Sequence, residues 1–218
     1  MTQAGTGPVV ALLDYEMSNL RSAGKALERL GATVRVAARP GDARGCDAVV
    51  LPGVGRFGAA MERLARHDFV AMLRHEAAAG TPVLGICLGL QLLFDGSEES
   101  PDTEGLGILP GRVERLRTDR KVPHIGWSEV HWREGVSLAP TDGAPSDRTY
   151  YFVHSYACVP DDPDDVLGTA DHGASFTAAA GRGCVTGVQF HPEKSSTAGL
   201  ALIGRWLGGV RTGEAVAA

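Results

Sequence analysis

Residues 82–94 read PVLGICLGLQLLF, and this stretch decides the fold. Its first part is an apolar run typical of a buried strand, and its second part has the spacing of a helix start. Gly85 and Gly89 flank Cys87 where the two meet, which is the layout of a nucleophile elbow, a tight strained turn that permits only small neighbours. The stretch therefore predicts a strand–turn–helix unit that projects Cys87 from the top of a sheet, at a helix N-terminus whose dipole favours a thiolate.

The segments before this unit alternate short apolar runs with stretches of helical spacing. Strands are expected at residues 9–14, 33–36, 48–51 and 82–86. Helices are expected at residues 18–30, 56–66, 68–79 and 88–94, and Ser18 has a side chain suited to cap the first of them. This β-α-β-α order predicts a parallel sheet with helices on both faces.

The second half of the chain is richer in strand patterns, and no internal repeat or linker divides it. Strands are expected at residues 111–116, 127–131, 149–157, 166–170, 175–180 and 185–190, and a closing helix at 195–207. We therefore predict a single α/β domain over residues 8–209, with a mostly parallel central sheet flanked by helices and additional antiparallel strands in the second half. Residues 1–7 and 210–218 are expected to be flexible termini.

Composition excludes several classes of protein. A chain of 218 residues suits one large domain, and its net charge of −5 comes with no basic stripe of the kind that binds nucleic acid. No apolar run reaches the roughly 18 residues that a membrane span needs, and residues 1–8 lack the features of a signal peptide. The four cysteines show no CxxC pairing and no metal-ligand spacing, and in a chain without a signal peptide we expect them to be free thiols in a reducing cytosol: Cys46, Cys87, Cys158 and Cys184.

A thiol nucleophile needs a base, because an unperturbed thiol has a pKa near ~8.5. Residues 187–193 read GVQFHPE, so an apolar strand ends at His191 and Glu193 follows two residues later. In an extended backbone these two side chains lie on the same side, which predicts a base oriented by a carboxylate. His154, in the aromatic stretch YYFVHSY at 150–156, is the alternative base. It has no carboxylate nearby in the sequence, and we interpret it as structural or substrate-lining.

A second glycine-rich turn follows the strand at residues 48–51, where residues 49–55 read VVLPGVG. The backbone N–H of Leu88, just after the elbow, is placed to bind an oxyanion. We expect the peptides at Gly53 and Val54 to supply a further N–H. Glycine tolerates a positive φ, so a peptide here can flip at modest cost.

The motifs GICLGLQLLF, PGVG and GVQFHPEKS together resemble the triad-type, or class I, glutamine amidotransferases. DYxxxNLRS at 14–22, VPHIGW at 122–127 and YYFVHSY narrow the resemblance to the glutaminase subunits of imidazole glycerol phosphate synthase. Glu16 and Ser18 stand where that family often has glycines. The resemblance implies Cys87 as nucleophile, His191 as base and Glu193 as its orienter. It also implies that further residues contact glutamine or a partner subunit: Gln91, Ser155 and Tyr156 for glutamine, and Lys194 for the partner.

The same resemblance implies a function. A cytoplasmic heterodimer is expected, in which this chain hydrolyses glutamine to glutamate and ammonia without metal or organic cofactor. Its partner is expected to be a (β/α)8-barrel synthase subunit that uses the ammonia to make imidazole glycerol phosphate and aminoimidazole carboxamide ribotide in histidine biosynthesis.

Three alternatives stay open at the level of sequence. The first is a glutaminase subunit of another pathway, such as pyridoxal phosphate or anthranilate synthesis. The second is a non-catalytic homologue, and the third is a stand-alone thiol hydrolase of γ-glutamyl substrates. The complete set of Cys87, His191 and Glu193 argues against a non-catalytic homologue. Turnover without any partner would favour the stand-alone hydrolase.

Overall fold

The computed structural model describes residues 7–17, 19–141 and 145–213. In the first half of the chain, strands and helices alternate as predicted. The elements are β1 (Val9–Leu13), α1 (Leu20–Arg29), β2 (Thr33–Ala37), β3 (Ala48–Gly53), α2 (Phe57–Arg66), α3 (Phe69–Ala78), β4 (Val83–Cys87) and α4 (Leu88–Leu92).

The second half is dominated by short strands. They are β5 (Gly96–Ser97), β6 (Ser100–Glu104), β7 (Gly111–Arg115), β8 (His124–Glu129), β9 (His131–Trp132), β10 (Thr149–His154), β11 (Tyr156–Pro160), β12 (Val166–Asp171), β13 (Ser175–Arg182) and β14 (Val185–Val188). The closing helix α5 (Ser196–Thr212) extends beyond the predicted domain boundary at residue 209.

One large mixed sheet organises the domain, in the order β2-β1-β3-β4-β14-β13-β11-β7-β5-β6. The strands from β2 to β14 are parallel, and the direction reverses at β13. β12 pairs with β13 and with β9. β8 and β10 form a separate antiparallel ribbon. The prediction of a single α/β domain with a mostly parallel central sheet and additional antiparallel strands is confirmed.

The core lies on both faces of this sheet because successive residues of each strand point to opposite sides. On one face Leu12, Val50 and Leu84 pack in a cluster with buried residues of α1 and α5. On the other face Leu51 and Val83 pack in a cluster with α2, α3 and α4. Burying a side chain of this size stabilises the fold by ~1.5–3 kcal/mol. All five residues of β4 are buried, and β4 lies between β3 and β14, whose residues are also all buried, so the strand that ends at Cys87 is enclosed by the core.

Several local predictions were wrong. The strand expected at residues 149–157 is two strands that part at Ser155, since β10 pairs with β8 whereas β11 pairs with β7. The short strands β5 and β6 were not predicted, because they have no apolar run of their own. Asn19, not Ser18, is the N-cap of α1, and it makes no side-chain capping bond. Ser18 itself lies outside the described residues.

The elbow between β4 and α4 depends on the absence of side chains. A Cβ atom on Gly89 would overlap the carbonyl oxygen of Leu51 in β3, and one on Gly85 would come within 2.8 Å of the Leu90 backbone nitrogen. Neither obstacle is a flexible side chain, so the neighbours cannot yield without moving the backbone of β3 or α4. These two glycines therefore set how closely the helix approaches the sheet.

Gly89→Ala is expected to destabilise the domain by about 3 kcal/mol or more, because the new methyl group forces β3 and α4 apart. Gly208→Ala is the matched control, since Gly208 also lies in a helix but a Cβ there would meet no atom within 4 Å. That control should be neutral or stabilise by up to about 1 kcal/mol. Chemical denaturation measures both, and equal free energies of unfolding for the two variants would contradict the prediction.

Candidate active site

Cys87 is the last residue of β4 and adopts φ 55° and ψ −110°. This positive φ is rare for a residue with a side chain and costs of order 1–3 kcal/mol, a strain typical of functional turns. Cys87 lies directly beside Gly53 in the register of β3 and β4. The elbow predicted from the sequence therefore has the expected geometry, with the thiol at the carboxyl end of the central strand.

His191 follows β14, the other neighbour of β4. Its backbone N–H donates to the Tyr151 carbonyl at 2.9 Å, and its carbonyl accepts from the Ser195 hydroxyl at 2.6 Å. The His191 Nδ1 atom lies 2.8 Å from Glu193 Oε1, and both side chains are almost fully buried. An ionised carboxylate can only accept, so Nδ1 carries the proton in this bond.

The second ring nitrogen of His191, Nε2, is buried and has no hydrogen bond among the described residues. Burial lowers the pKa of His191, but the Cys87 sulfur and the Glu193 carboxylate outweigh burial and raise the pKa to about 9. The sulfur is thus close enough to influence the imidazole without a hydrogen bond of normal geometry. Such contacts are often long before substrate binds.

Cys87 and His191 open into one cavity of about 390 Å³. The other predicted site residues that line it are Val54, Leu88, Gln91, Ser155, Tyr156 and Lys194. Gly53 and Glu193 line a small adjoining void behind His191. The structure therefore brings together all of the site residues expected from the sequence.

His154, the alternative base, also lines the cavity. Its Nδ1 atom lies 2.9 Å from the Tyr156 carbonyl oxygen, and its Nε2 atom lies 3.1 Å from His124 Nδ1. Burial lowers the pKa of His154 to about 3. With both nitrogens occupied and the neutral form strongly favoured, this residue has no free position from which to deprotonate a thiol.

The glycine-rich turn after β3 is held by residues that follow β1. The Val54 N–H donates to the Met17 carbonyl at 2.9 Å, and the Tyr15 hydroxyl donates to the Pro52 carbonyl at 2.8 Å. The Val54 N–H is therefore not free for an oxyanion in this conformation. Between Tyr15 and Met17, Glu16 adopts φ 66° and pairs with Arg63. That positive φ explains why glycine would also suit this position.

Gln189 is a site residue that the sequence reasoning missed. Its side chain is fully buried, and its Nε2 atom lies 3.8 Å from the Cys87 sulfur, within the range of a hydrogen bond to sulfur. Its Oε1 atom accepts from Gln91 Nε2 at 3.0 Å. Gln189 precedes His191 by two residues, so the same alternation that pairs His191 with Glu193 could have indicated it.

An apolar surface borders the cavity on the β8–β10 ribbon. Ile125 and Trp127 are 61% and 55% exposed. They lie opposite Val153 and Tyr151 in the strand register and so share a face with them. Val153 lines the cavity, and we call this face, with its four residues, the rim face.

Glu193→Gln is expected to lower the pKa of His191 by about one unit or more, because the amide keeps a hydrogen-bond acceptor but removes the negative charge. NMR titration of the imidazole resonances measures this. Glu62→Gln is the matched control, since it removes an exposed carboxylate paired with Arg66. An unchanged His191 pKa in Glu193→Gln would contradict the electrostatic role of this carboxylate.

The same pair makes stability depend on pH. The folded-state pKa of His191 lies above its ordinary value of 6.5, so the stabilisation is fully present below about pH 6.5 and is lost as the pH rises through about 9. The difference in unfolding free energy between the natural chain and Glu193→Gln should therefore shrink between about pH 6 and about pH 10. A difference that grows over this range would contradict the assignment.

No helix within the described ranges is long and apolar enough to cross a membrane.

The sequence model of the class-I glutamine amidotransferase family matches residues 11–205.

Many relatives match about nine-tenths of this chain. The imidazole glycerol phosphate synthase subunit HisH of Moorella thermoacetica is 47% identical over 194 residues, covering 89% of this chain and 91% of the relative. The subunit of the same name from Synechococcus elongatus is 45% identical over 204 residues, with 92% and 93% covered.

Solved structures agree with this fold. A glutamine amidotransferase crystal structure superposes with a TM-score of 0.69 at 22% identity, covering 92% of this chain and 98% of that one. PurLQS from Thermotoga maritima superposes with a TM-score of 0.72 at 19% identity, covering 93% and 98%. Because the family model matches most of the chain and the relatives exceed 40% identity, this chain belongs to the class-I glutamine amidotransferase family.

Proposed function

We propose that this chain is the glutaminase subunit of an imidazole glycerol phosphate synthase, with Cys87, His191 and Glu193 as its catalytic residues. The observation that carries the proposal is the buried His191–Glu193 pair, bonded at 2.8 Å, whose histidine lines the same cavity as the strained Cys87 elbow. Relatives that bear this subunit's name match about nine-tenths of the chain, and this favours it over subunits of other pathways.

In the proposed reaction His191 Nε2 takes the proton of the Cys87 thiol, and the thiolate attacks the side-chain carbonyl carbon of glutamine. The tetrahedral intermediate collapses as His191 returns that proton to the leaving nitrogen, which departs as ammonia and leaves a thioester. His191 then deprotonates a water molecule that attacks the thioester, and glutamate leaves while the thiol is reprotonated. Glu193 keeps the proton of Nδ1 in place throughout, so that Nε2 is the reacting nitrogen.

Glutamine is proposed to lie along the cavity wall formed by Gln91, Ser155 and Tyr156. The volume of about 390 Å³ suits a single amino acid, since ligand cavities of this order enclose small molecules. The Leu88 N–H, the first of α4, is proposed as one donor to the oxyanion. It lies next to the sulfur in sequence and at a helix N-terminus.

The second oxyanion donor is proposed to be gated. The Val54 N–H points to the Met17 carbonyl, so it must break that bond and turn towards the cavity before it can donate. Gly53 and Gly55 flank Val54, and Gly55 already adopts φ 107°, so the peptide has neighbours that tolerate the turn. One such donor is typically worth ~10²–10³ in kcat, enough to hold the free subunit nearly inactive.

A (β/α)8-barrel synthase subunit is proposed as the partner that triggers this turn and receives the ammonia, in a heterodimer. Val54 is 41% exposed, Lys194 is exposed on the cavity wall, and the rim face adds Ile125 and Trp127. A partner docked here would cover the mouth of the cavity and touch the gated loop at once. Lys194 is proposed to lie in that interface.

Cys87→Ala is expected to abolish product formation from glutamine in the assembled synthase and to spare product formation from ammonium salt. Only the glutamine reaction needs a thioester, and alanine is small enough for the elbow. Cys46→Ala is the matched control, because Cys46 is a free thiol away from the cavity. Assays of the complex with each nitrogen source measure both activities.

Retained glutamine-dependent activity in Cys87→Ala would remove this thiol from the mechanism. Loss of both activities, with the complex still assembled, would contradict the proposed division of labour between the subunits.

Trp127→Ala is expected to weaken binding of the barrel subunit by about 2 kcal/mol, or roughly thirtyfold in Kd, as for a central aromatic anchor. Val159→Ala is the matched control, since Val159 is 47% exposed on β11 and lines neither the cavity nor the rim face. Isothermal titration calorimetry with the partner measures both. Equal affinities for the two variants would exclude the rim face from the interface.

A further inference from the structure

A chain of hydrogen bonds runs inward from the β8–β10 ribbon, on the side opposite the rim face. The Ser128 hydroxyl lies 3.0 Å from His124 Nε2, and His124 Nδ1 lies 3.1 Å from His154 Nε2. His154 Nδ1 lies 2.9 Å from the Tyr156 carbonyl oxygen. His124 and His154 are cross-strand partners and both are buried, so the strand pairing itself brings the two rings together.

The Tyr156 carbonyl fixes the direction of every bond in this chain. A carbonyl only accepts, so His154 Nδ1 carries a hydrogen and His154 Nε2 accepts from His124 Nδ1. His124 Nε2 must then accept from the Ser128 hydroxyl. Both imidazoles are neutral in this arrangement, and burial, the largest cause, lowers the pKa of His124 to about 4 and that of His154 to about 3.

The chain continues from the Tyr156 carbonyl to the Cys87 sulfur. Gln91 Nε2 donates to the Tyr156 carbonyl and to Gln189 Oε1, each at 3.0 Å. Gln189 Nε2 is then the group that faces the Cys87 sulfur at 3.8 Å. Because each amide has its nitrogen and oxygen assigned by its neighbours, neither can flip without breaking a bond of the chain.

We propose that His124 and His154 are positioning residues for glutamine hydrolysis, which hold the Tyr156 carbonyl and, through Gln91 and Gln189, keep an N–H directed at the Cys87 sulfur. The inference rests on the proposed function. Ser155 and Tyr156 follow His154 directly, at the point where β10 ends and β11 begins. The bond from His154 to Tyr156 therefore fixes the peptide that is proposed to contact glutamine.

His154→Leu tests this, because leucine fills the buried space but removes both ring nitrogens. In the partner-saturated complex, kcat/KM for glutamine is expected to fall about tenfold or more, since the Tyr156 carbonyl loses one of its two donors. Product formation from ammonium salt should be unchanged, which shows that the fold and the complex are intact. His154→Asn should recover most of the loss, because its amide can still donate to the Tyr156 carbonyl.

His172→Leu is the matched control. The His172 ring stacks on His124 at 4.2 Å between centroids and bonds the Lys121 carbonyl, so it belongs to the same cluster but not to the chain. The kcat/KM of the His172→Leu complex for glutamine should stay within about twofold of the value for the natural complex. An equal loss in His172→Leu, no recovery in His154→Asn or no loss in His154→Leu would each overturn the inference. A natural complex without glutamine turnover would instead contradict the proposed function.

Discussion

The close approach of α4 to β3 is the constraint on which the rest of the structure depends. Only glycine at position 89 lets the helix backbone lie against the Leu51 carbonyl, and this contact sharpens the turn that gives Cys87 its positive φ. The parallel pairing of β3 with β4 places Cys87 beside Gly53. Packing between neighbouring central strands therefore brings the nucleophile next to the start of the oxyanion loop, and the bond from Val54 to Met17 then holds that loop.

Elements with a local signal could be predicted from the sequence. The elbow and the His191–Glu193 pair each depend on residues within a few positions of one another, and the structure places them as expected. The strands in the first half of the chain could also be predicted, because most of them are continuous apolar runs in the sequence. Ser155 shows the limit, since nothing in an unbroken aromatic stretch indicates that β10 and β11 pair in different sheets.

The sequence could not indicate contacts between residues that lie far apart in the chain. The bond from Val54 to Met17 joins two loops that meet only because β1 and β3 are neighbours in the sheet. The contact between Gln189 and Cys87 likewise depends on the pairing of β14 with β4. The same holds for His154, whose bonds to His124 and Tyr156 explain why it is not the base. These contacts determine which N–H groups and ring nitrogens of the site are free to react, and the residue types alone do not indicate this.

Labelling with a diazoketone analogue of glutamine tests the central claim, that Cys87 attacks glutamine and that a bound partner makes it competent. The analogue binds as glutamine does and alkylates the attacking nucleophile, and peptide mass spectrometry locates the adduct. One adduct is expected, on Cys87, and it should form much faster when the partner and its ligand are present. An adduct on Cys46, Cys158 or Cys184 instead, or a rate that does not respond to the partner, would contradict it.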